Sequence, residues 1–323
     1  MVSRAGSRSV KTDTGDGDMD MAERLSLQNL RGELRLNEPM AKHVSWRAGG
    51  VAARAYAPAD VDDLSAFLRT VPRTEDLYFV GLGSNLLVRD GGVRATVVFT
   101  HWALRQIKLL GTGERDIEIH AEAGIASPKA ARFAALHGAE GAEFLAGIPG
   151  TIGGALAMNA GCYGGETWNL VSSVTTIDRA GQLHQRRRDE FQTGYRSVRG
   201  PADEWFVSAT LCVPMGDREK SLNKIKQLLS RRVASQPLQQ PNAGSVFRNP
   251  QNDHAARLIE ACGLKGTRIG AAEISCKHAN FIVNTGGATA ADIEGLIELV
   301  QITVRDKFGI KLECEVSVIG EHL

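Results

Sequence analysis

The chain is 323 residues long, enough for two or three ordinary domains or one long α/β domain. Its 38 Lys+Arg balance 37 Asp+Glu and leave a formal charge of +1, so it lacks the basic excess expected of a nucleic-acid or polyanion binder, while 43% hydrophobic and 23% charged residues is the make-up of a folded soluble protein. No apolar run reaches the ~18 residues of a membrane helix, and five scattered cysteines (Cys162, Cys212, Cys262, Cys276, Cys314) without a C-x-x-C argue against a disulfide framework or a structural zinc site and for a reducing compartment.

In chain order, residues 1–22 are polar and without periodic apolar positions, and read as a disordered tail. They lack the apolar stretch of a signal peptide, and Asp13, Asp16, Asp18 and Asp20 argue against a transit peptide. Strand-like and helix-like segments then alternate. Residues 52–57, 76–83, 95–100 and 117–123 read as strands. A helix starts at Ser127-Pro128, with proline at a first-turn position, and is stopped by Gly138. Residues 171–178 and 205–213, rich in β-branched side chains, are strands. Pro214-Met-Gly-Asp217 is a composition break and marks a domain boundary, giving units 23–214 and 215–323. Beyond it, 222–233 is a helix with Leu222, Ile225, Leu228 and Leu229 at helical spacing. Residues 255–262 form a second helix capped by Gly263, and 279–284 a strand. Residues 289–307 form the strongest helix. Thr289 and Asp292 resemble a capping box, and Ile293, Leu296, Ile297, Val300 and Val304 form one face. A strand over 311–319 closes the chain.

Glycine is the unusual residue, 35 of 323 against an average near 7%, and the excess is clustered. The first cluster, Gly81-Leu-Gly-Ser-Asn85 running to Gly92, is a glycine turn after a strand, a usual place to bind phosphate through backbone N–H groups. It is not a dinucleotide fingerprint, because Leu86 replaces the third glycine and no helix follows. The second, 147–166, has seven glycines in twenty residues and no Gly-Lys-Ser/Thr. Such density lets backbone approach a flat or charged ligand. Ile148, Ile152, Leu156 and Met158 make it too apolar to be a free surface loop. Thr151 and Asn159 add polar side chains.

Gly83-Ser-Asn85, Gly147-Ile-Pro-Gly150 running into Asn159-Ala-Gly161, Gly194-Tyr-Arg-Ser197, Ala243-Gly-Ser-Val-Phe-Arg-Asn-Pro250 and Leu312-Glu-Cys-Glu-Val316 occur in that order. Together they resemble the UDP-N-acetylenolpyruvoylglucosamine reductase (UDP-N-acetylmuramate dehydrogenase, MurB) family, from about residue 25 to residue 320. The resemblance implies an α+β protein with an FAD-binding fold of the p-cresol methylhydroxylase/vanillyl-alcohol oxidase type. Two subdomains would hold non-covalent FAD, and a C-terminal α+β domain would cover the substrate. It further implies NADPH as reducing co-substrate, UDP-N-acetylglucosamine enolpyruvate as substrate, a cytoplasmic enzyme of peptidoglycan precursor synthesis, and a monomer or weak oligomer with no nucleic-acid, membrane or metal partner. Arg196 and Ser245 are only 49 positions apart. The chain is therefore similar to the shorter branch of the family, which lacks an inserted loop whose tyrosine folds over the substrate. Arg248 stands where the family often has lysine, which keeps charge but not geometry.

The cofactor set implied by the resemblance is Arg47, Gly81, Gly83, Ser84, Asn85, Gly147, Ile148, Pro149, Gly150, Thr151, Gly153, Gly154, Asn159, Ala160 and Gly161. The family reaction moves a hydride from NADPH through FAD to the enolpyruvyl C3, with a proton to C2. Arg196 offers a planar fork of donors to a carboxylate. Ser245, in a small-residue turn, is the implied proton donor, and a weak acid of this kind serves only a strongly basic carbon intermediate such as an enolate. Strand alternation puts Glu313 and Glu315 on one face and cannot choose between them. The motif selects Glu315 as the third catalytic residue. Tyr195 and Asn249 are implied substrate contacts. Arg231 and Arg232 could meet the diphosphate or form a basic helix end.

The alternative within the same fold is an FAD-dependent oxidase acting on an alcohol or lactone. Several of these attach FAD to a histidine beside an early glycine turn, whereas Trp46-Arg-Ala-Gly-Gly50 is followed here by Val51. A non-catalytic flavin or nucleotide-sugar module has no need of Arg196, Ser245 and Glu315 together.

Overall fold

The computed structural model describes residues 30–323, so the tail reading of 1–22 lies outside the described residues. Three packed units follow one another. The first is a four-stranded sheet. Glu33–Pro39 pairs antiparallel with Val51–Ala57, which runs parallel to Val93–Phe99, which in turn runs parallel to Leu77–Val80. The helix Val61–Leu68 covers it, started by the Asp60 carboxylate, which accepts from Asp63 N at 2.9 Å.

The second unit is a fully antiparallel five-stranded sheet in the order Leu183–Arg187, Val171–Asp178, Glu204–Pro214, Asp116–Glu122, Ile107–Thr112. Its alternating apolar residues Ile117, Ile119, Val174, Ala209, Leu211 and Val213 form one core with the alanine face of the helix Ser127–Leu136. That helix begins and ends as its Pro128 and Gly138 require, Gly138 taking a φ of +75°.

The break at Pro214 ends a strand without ending this core. The helix Arg218–Ser235 turns back onto the second unit. Ile225 joins its cluster, and fully buried Ser221 donates to Ala139 O at 2.9 Å and to Glu143 Oε1 at 2.7 Å. Packing therefore divides the chain after Ser235 rather than after Pro214, because turn residues mark the end of an element and not a change of core. Leu228 is buried as its spacing predicts, but Leu229 lies 37% exposed.

The third unit packs the helices Ala255–Ala261 and Ala290–Phe308 on a small antiparallel sheet, Arg268–Ile269, Ala272–Ile274 and Ile282–Asn284. The long helix carries the capping box read from its sequence. Thr289 accepts from Asp292 N at 3.0 Å, Asp292 accepts from Thr289 N at 3.0 Å, and Gly309 ends the helix at φ +69°. All five residues of the predicted face are buried.

The third unit is locked to the first. Trp46 lies in its core, donates to Ile282 O at 2.7 Å, and accepts at its own carbonyl from Asn284. The closing strand is only Ser317–Ile319, and it pairs parallel with Leu86–Val88 of the first unit. The predicted strands 279–284 and 311–319 are thus shorter than read. In the first, Asn280 uses its side chain to bond both polar groups of Phe247 (Asn280 Oδ1 accepts from the N–H at 3.0 Å, Nδ2 donates to the carbonyl at 2.8 Å). In the second, 312–316 pairs only locally with the 246–248 segment, through Glu315 N to Val246 O and Arg248 N to Glu313 O.

Candidate active site

The two glycine clusters line one cavity of about 520 Å³, within the usual range of ligand sites. The first leaves the strand Leu77–Val80, and the second leads into a helix, Ile152–Ala157, that the density of glycines conceals in the sequence. Thr151 caps this helix by accepting from Gly154 N, and Ile152 and Leu156 anchor it in the core. The clusters touch. A Cβ on Gly81 would collide with Thr151 Oγ1. Gly83 combines a φ of +56° with a backbone so close to His43 that a Cβ would overlap the His43 carbonyl, so only glycine fits there.

Of the cofactor residues expected, Gly81, Gly83, Ser84, Asn85, Gly147, Ile148, Pro149, Gly150, Thr151, Gly154, Ala160 and Gly161 line the cavity. Arg47, Gly153 and Asn159 do not. Arg47 is exposed on a left-handed turn (φ +55°), Gly153 packs against Ala123 behind the wall, and Asn159 is 2% exposed within the second unit.

The opposite wall is made of side chains. Arg196 sits at the tip of the hairpin formed by Gln192–Gly194 and Ser197–Arg199, in a left-handed conformation (φ +53°). Its Nε donates to Glu315 Oε1 at 2.7 Å and its Nη2 to Gly161 O at 2.8 Å. Nη1 makes no hydrogen bond among the described residues and remains available to a ligand. Ser245 lines the same cavity, held by neighbours pinned on both sides to Asn280 and to 313–315.

Glu315 and Glu313 do not share a face. The Glu315 side chain is 11% exposed and that of Glu313 is 73% exposed, because 312–316 is not regular strand. Burial pushes the Glu315 carboxyl above its ordinary range, against the opposing pull of the Arg196 guanidinium. Asn85 joins the two walls. Its Nδ2 donates to Glu315 O at 3.0 Å, and its carbonyl accepts from Ser317 N at 3.1 Å.

Neither expected substrate contact lines the cavity. Tyr195 is 50% exposed, with its ring 5.3 Å from the Arg196 guanidinium carbon, and exposed Asn249 accepts from Ala255 N at the start of a helix. Residues that sequence reasoning left open do line it. Arg232 enters the cavity while Arg231 is exposed. Arg232 continues the helical stripe Ser221, Ile225, Leu228, a spacing that marks the inward face. Its guanidinium donates to Gln236 Oε1 and has no carboxylate partner among the described residues, and burial pulls its pKa down. Cys162 also lines the site, but burial pushes its thiol up to about 11, so it stays protonated.

The site suits a flavin nucleotide. Backbone without Cβ atoms lets phosphates and a flat ring approach, Ala155 and Ala157 present small apolar surface, and an unpaired guanidinium waits for an anion. The fold and site together define an FAD-binding enzyme of two subdomains with an added C-terminal domain.

The comparisons specify it. Residues 52–186 match the model of an FAD binding domain, and residues 236–319 match the UDP-N-acetylenolpyruvoylglucosamine reductase C-terminal domain. The UDP-N-acetylenolpyruvoylglucosamine reductase of Thiobacillus denitrificans is 55% identical over 304 residues, covering 91% of this chain and 94% of the relative. That of Methylococcus capsulatus is 56% identical over 291 residues, covering 90% and 94%. The crystal structure of the MurB protein of Thermus caldophilus superposes with a TM-score of 0.73 at 30% identity over 90% of this chain and 99% of that one. 6-Hydroxy-D-nicotine oxidase of Arthrobacter nicotinovorans, at TM-score 0.52 and 10% identity, shares the fold. The chain belongs to the UDP-N-acetylenolpyruvoylglucosamine reductase family.

Proposed function

We infer that the cavity performs the family's reaction with Arg196, Ser245 and Glu315. The chain is an FAD-dependent oxidoreductase that reduces UDP-N-acetylglucosamine enolpyruvate to UDP-N-acetylmuramate in peptidoglycan precursor synthesis, with NADPH as reductant. FAD supplies the hydride carrier when bound. The single observation that carries the residue assignment is the convergence of Arg196, Ser245 and Glu315, from three separate segments, on the cavity that both glycine loops line.

Gly81–Asn85 and Gly147–Gly161 would cradle the dinucleotide. Arg196 is positioned to meet the substrate carboxylate with Nη1 and to stabilise charge developing on the enolate oxygen atoms. Its bond to Glu315 fixes the plane of the guanidinium. A buried carboxyl with a raised pKa holds its proton more readily, so Glu315 can assist that stabilisation in its neutral form. The Ser245 hydroxyl, without a hydrogen-bond partner among the described residues, is free to give its proton to C2 once hydride has reached C3, and solvent restores it. Arg232 is placed to bind the diphosphate.

Among the described residues no helix is long and apolar enough to cross a membrane. The nucleotide-sugar substrate and the scattered free cysteines support a cytoplasmic site of action, and we propose a monomer or weak oligomer. The test is direct. Purified protein should be yellow, release flavin on denaturation, lose its colour with NADPH and regain it stoichiometrically with the enolpyruvyl substrate under anaerobic conditions. A colourless protein that takes up no FAD would overturn this reading, and fast reoxidation by oxygen with none by the enolpyruvyl ether would favour the oxidase.

A further inference from the structure

Asn159 belongs to the glycine-rich second cluster, yet its side chain faces away from the cavity. It is 2% exposed and in a left-handed conformation (φ +46°), which asparagine tolerates better than most residues. Its Oδ1 accepts from Trp168 N at 3.1 Å, and its Nδ2 donates to Glu166 Oε2 at 2.9 Å and to Gly194 O at 3.1 Å. Partners on both ends fix which atom is oxygen and which is nitrogen, and prevent the amide from turning. The anchor behind it is rigid, since Trp168 is 1% exposed and donates from Nε1 to Leu156 O at 2.8 Å.

Gly194 is the residue before the Tyr195-Arg196 turn. The hairpin 192–199 has only three paired positions on each strand and is largely exposed, and a two-stranded ribbon of that size does not hold its own tip in place. Among the described residues, four hydrogen bonds from outside reach that tip. Two end on the Arg196 guanidinium, whose geometry they aim but whose backbone they leave free. The other two hold backbone carbonyls. Arg248 reaches Arg196 O at 3.2 Å from a side chain that is 37% exposed, and Asn159 reaches Gly194 O from the core.

We propose that Asn159 is a positioning residue for Arg196. It ties the Arg196 hairpin to the wall that holds the flavin, so that the guanidinium and the flavin are set from one segment. Asn159 and Gly161 grip the hairpin two residues apart, one on Gly194 and one on Arg196. The inference rests on the assignment of Arg196 given above.

The test uses Asn159→Asp and Asn159→Gly. Aspartate keeps the acceptor for Trp168 and the tolerance of the left-handed turn but loses the donor to Gly194. Glycine keeps the backbone conformation and serves if the charge beside Glu166 prevents folding. FAD affinity, followed by flavin fluorescence, should stay near that of the unaltered chain. Reoxidation of the NADPH-reduced enzyme by the enolpyruvyl substrate should slow by about 10- to 10²-fold, the usual cost of misplacing a positioned group. Adding Asn159→Asp to Arg196→Ala should slow it no further, because the two residues act as one unit. Weakened FAD binding with unchanged reoxidation of the loaded enzyme would make Asn159 a cofactor residue and overturn the proposal. Multiplying effects in the double variant would overturn it too. A slow Arg196→Ala beside normal Asn159 variants would reject the coupling alone, whereas a normal Arg196→Ala would reject the role of Arg196 itself.

Discussion

The two walls of the cavity are built on different principles. The wall we propose for the flavin is backbone, drawn from two contiguous stretches whose glycines let the chain pack closely on its neighbours, a Cβ on Gly81, Gly83, Gly147 or Gly161 meeting other protein atoms. The wall we propose for the chemistry is side chains, drawn from a hairpin tip, a turn and an irregular C-terminal segment whose members lie up to 119 positions apart. A backbone wall is robust to most surface changes but intolerant of a single Cβ, while a side-chain wall loses its chemistry when one group is removed and keeps its fold.

That contrast can be broken in order of expected size. Ser245→Ala and Arg196→Ala should leave FAD bound and slow flavin reoxidation by the enolpyruvyl substrate by about 10²- to 10³-fold, the usual size for a lost charge stabiliser or positioned acid. Rapid-mixing traces with wild-type reoxidation in Ser245→Ala would remove it from the chemistry wall. Gly83→Ala should do the reverse. The added Cβ meets the His43 carbonyl in a left-handed conformation, so FAD affinity should fall at least about tenfold, roughly 1.4 kcal/mol, while enzyme saturated with FAD still turns over. Unchanged flavin titration in that variant would show that the loop can shift without cost.

A smaller effect sharpens the comparison through pH. The folded pKa of Glu315 is raised above its ordinary 4.5 by burial, which outweighs the attraction of Arg196. Its contribution to stability is therefore complete below the unfolded value and is lost as pH rises through the folded one. Glu315→Gln carries no charge at any pH. The stability of the wild type relative to this variant should accordingly fall as pH rises from about 4, and a difference that is flat with pH would contradict a raised pKa. The smallest effect lies outside both walls. Thr289→Ala removes half of the capping box and should cost about 1 kcal/mol in urea unfolding of the third unit, without changing FAD affinity.

The glycine-lined wall of the cavity was nearly legible in the sequence because its signal is local. Glycine spacing, Pro149 and apolar Ile152 and Leu156 are neighbours in the chain, and they locate the site without any knowledge of the fold. Some expected site residues do not line the cavity, because distance in space mattered. Asn159 lies among the glycines of the second cluster but turns its amide toward Gly194. Arg47 is exposed, and Asn249 accepts from Ala255 N at the start of a helix. The Pro214 break misplaced a boundary because Ser221 and Ile225 bury against residues some 80 positions earlier, as in Ser221 to Ala139 (82 positions) and Ser221 to Glu143 (78 positions).

The sequence alone determined the elements whose forces are local. These are the capped helix Ala290–Phe308, the proline-started helix Ser127–Leu136, the β-branched strands of the second sheet and the glycine loops, with the family resemblance they carry. The family motif picked Glu315 over Glu313, but only the tertiary structure showed that Glu315 is buried at the cavity and Glu313 exposed, that Arg232 and not Arg231 enters it, and what holds Arg196 in place. Both differences turn on burial, which depends on where a segment is pinned. Glu315 is inside because its backbone bonds Val246 and Asn85, and Arg232 because its helix lies against the second core. No periodicity within twenty residues records contacts made across two hundred.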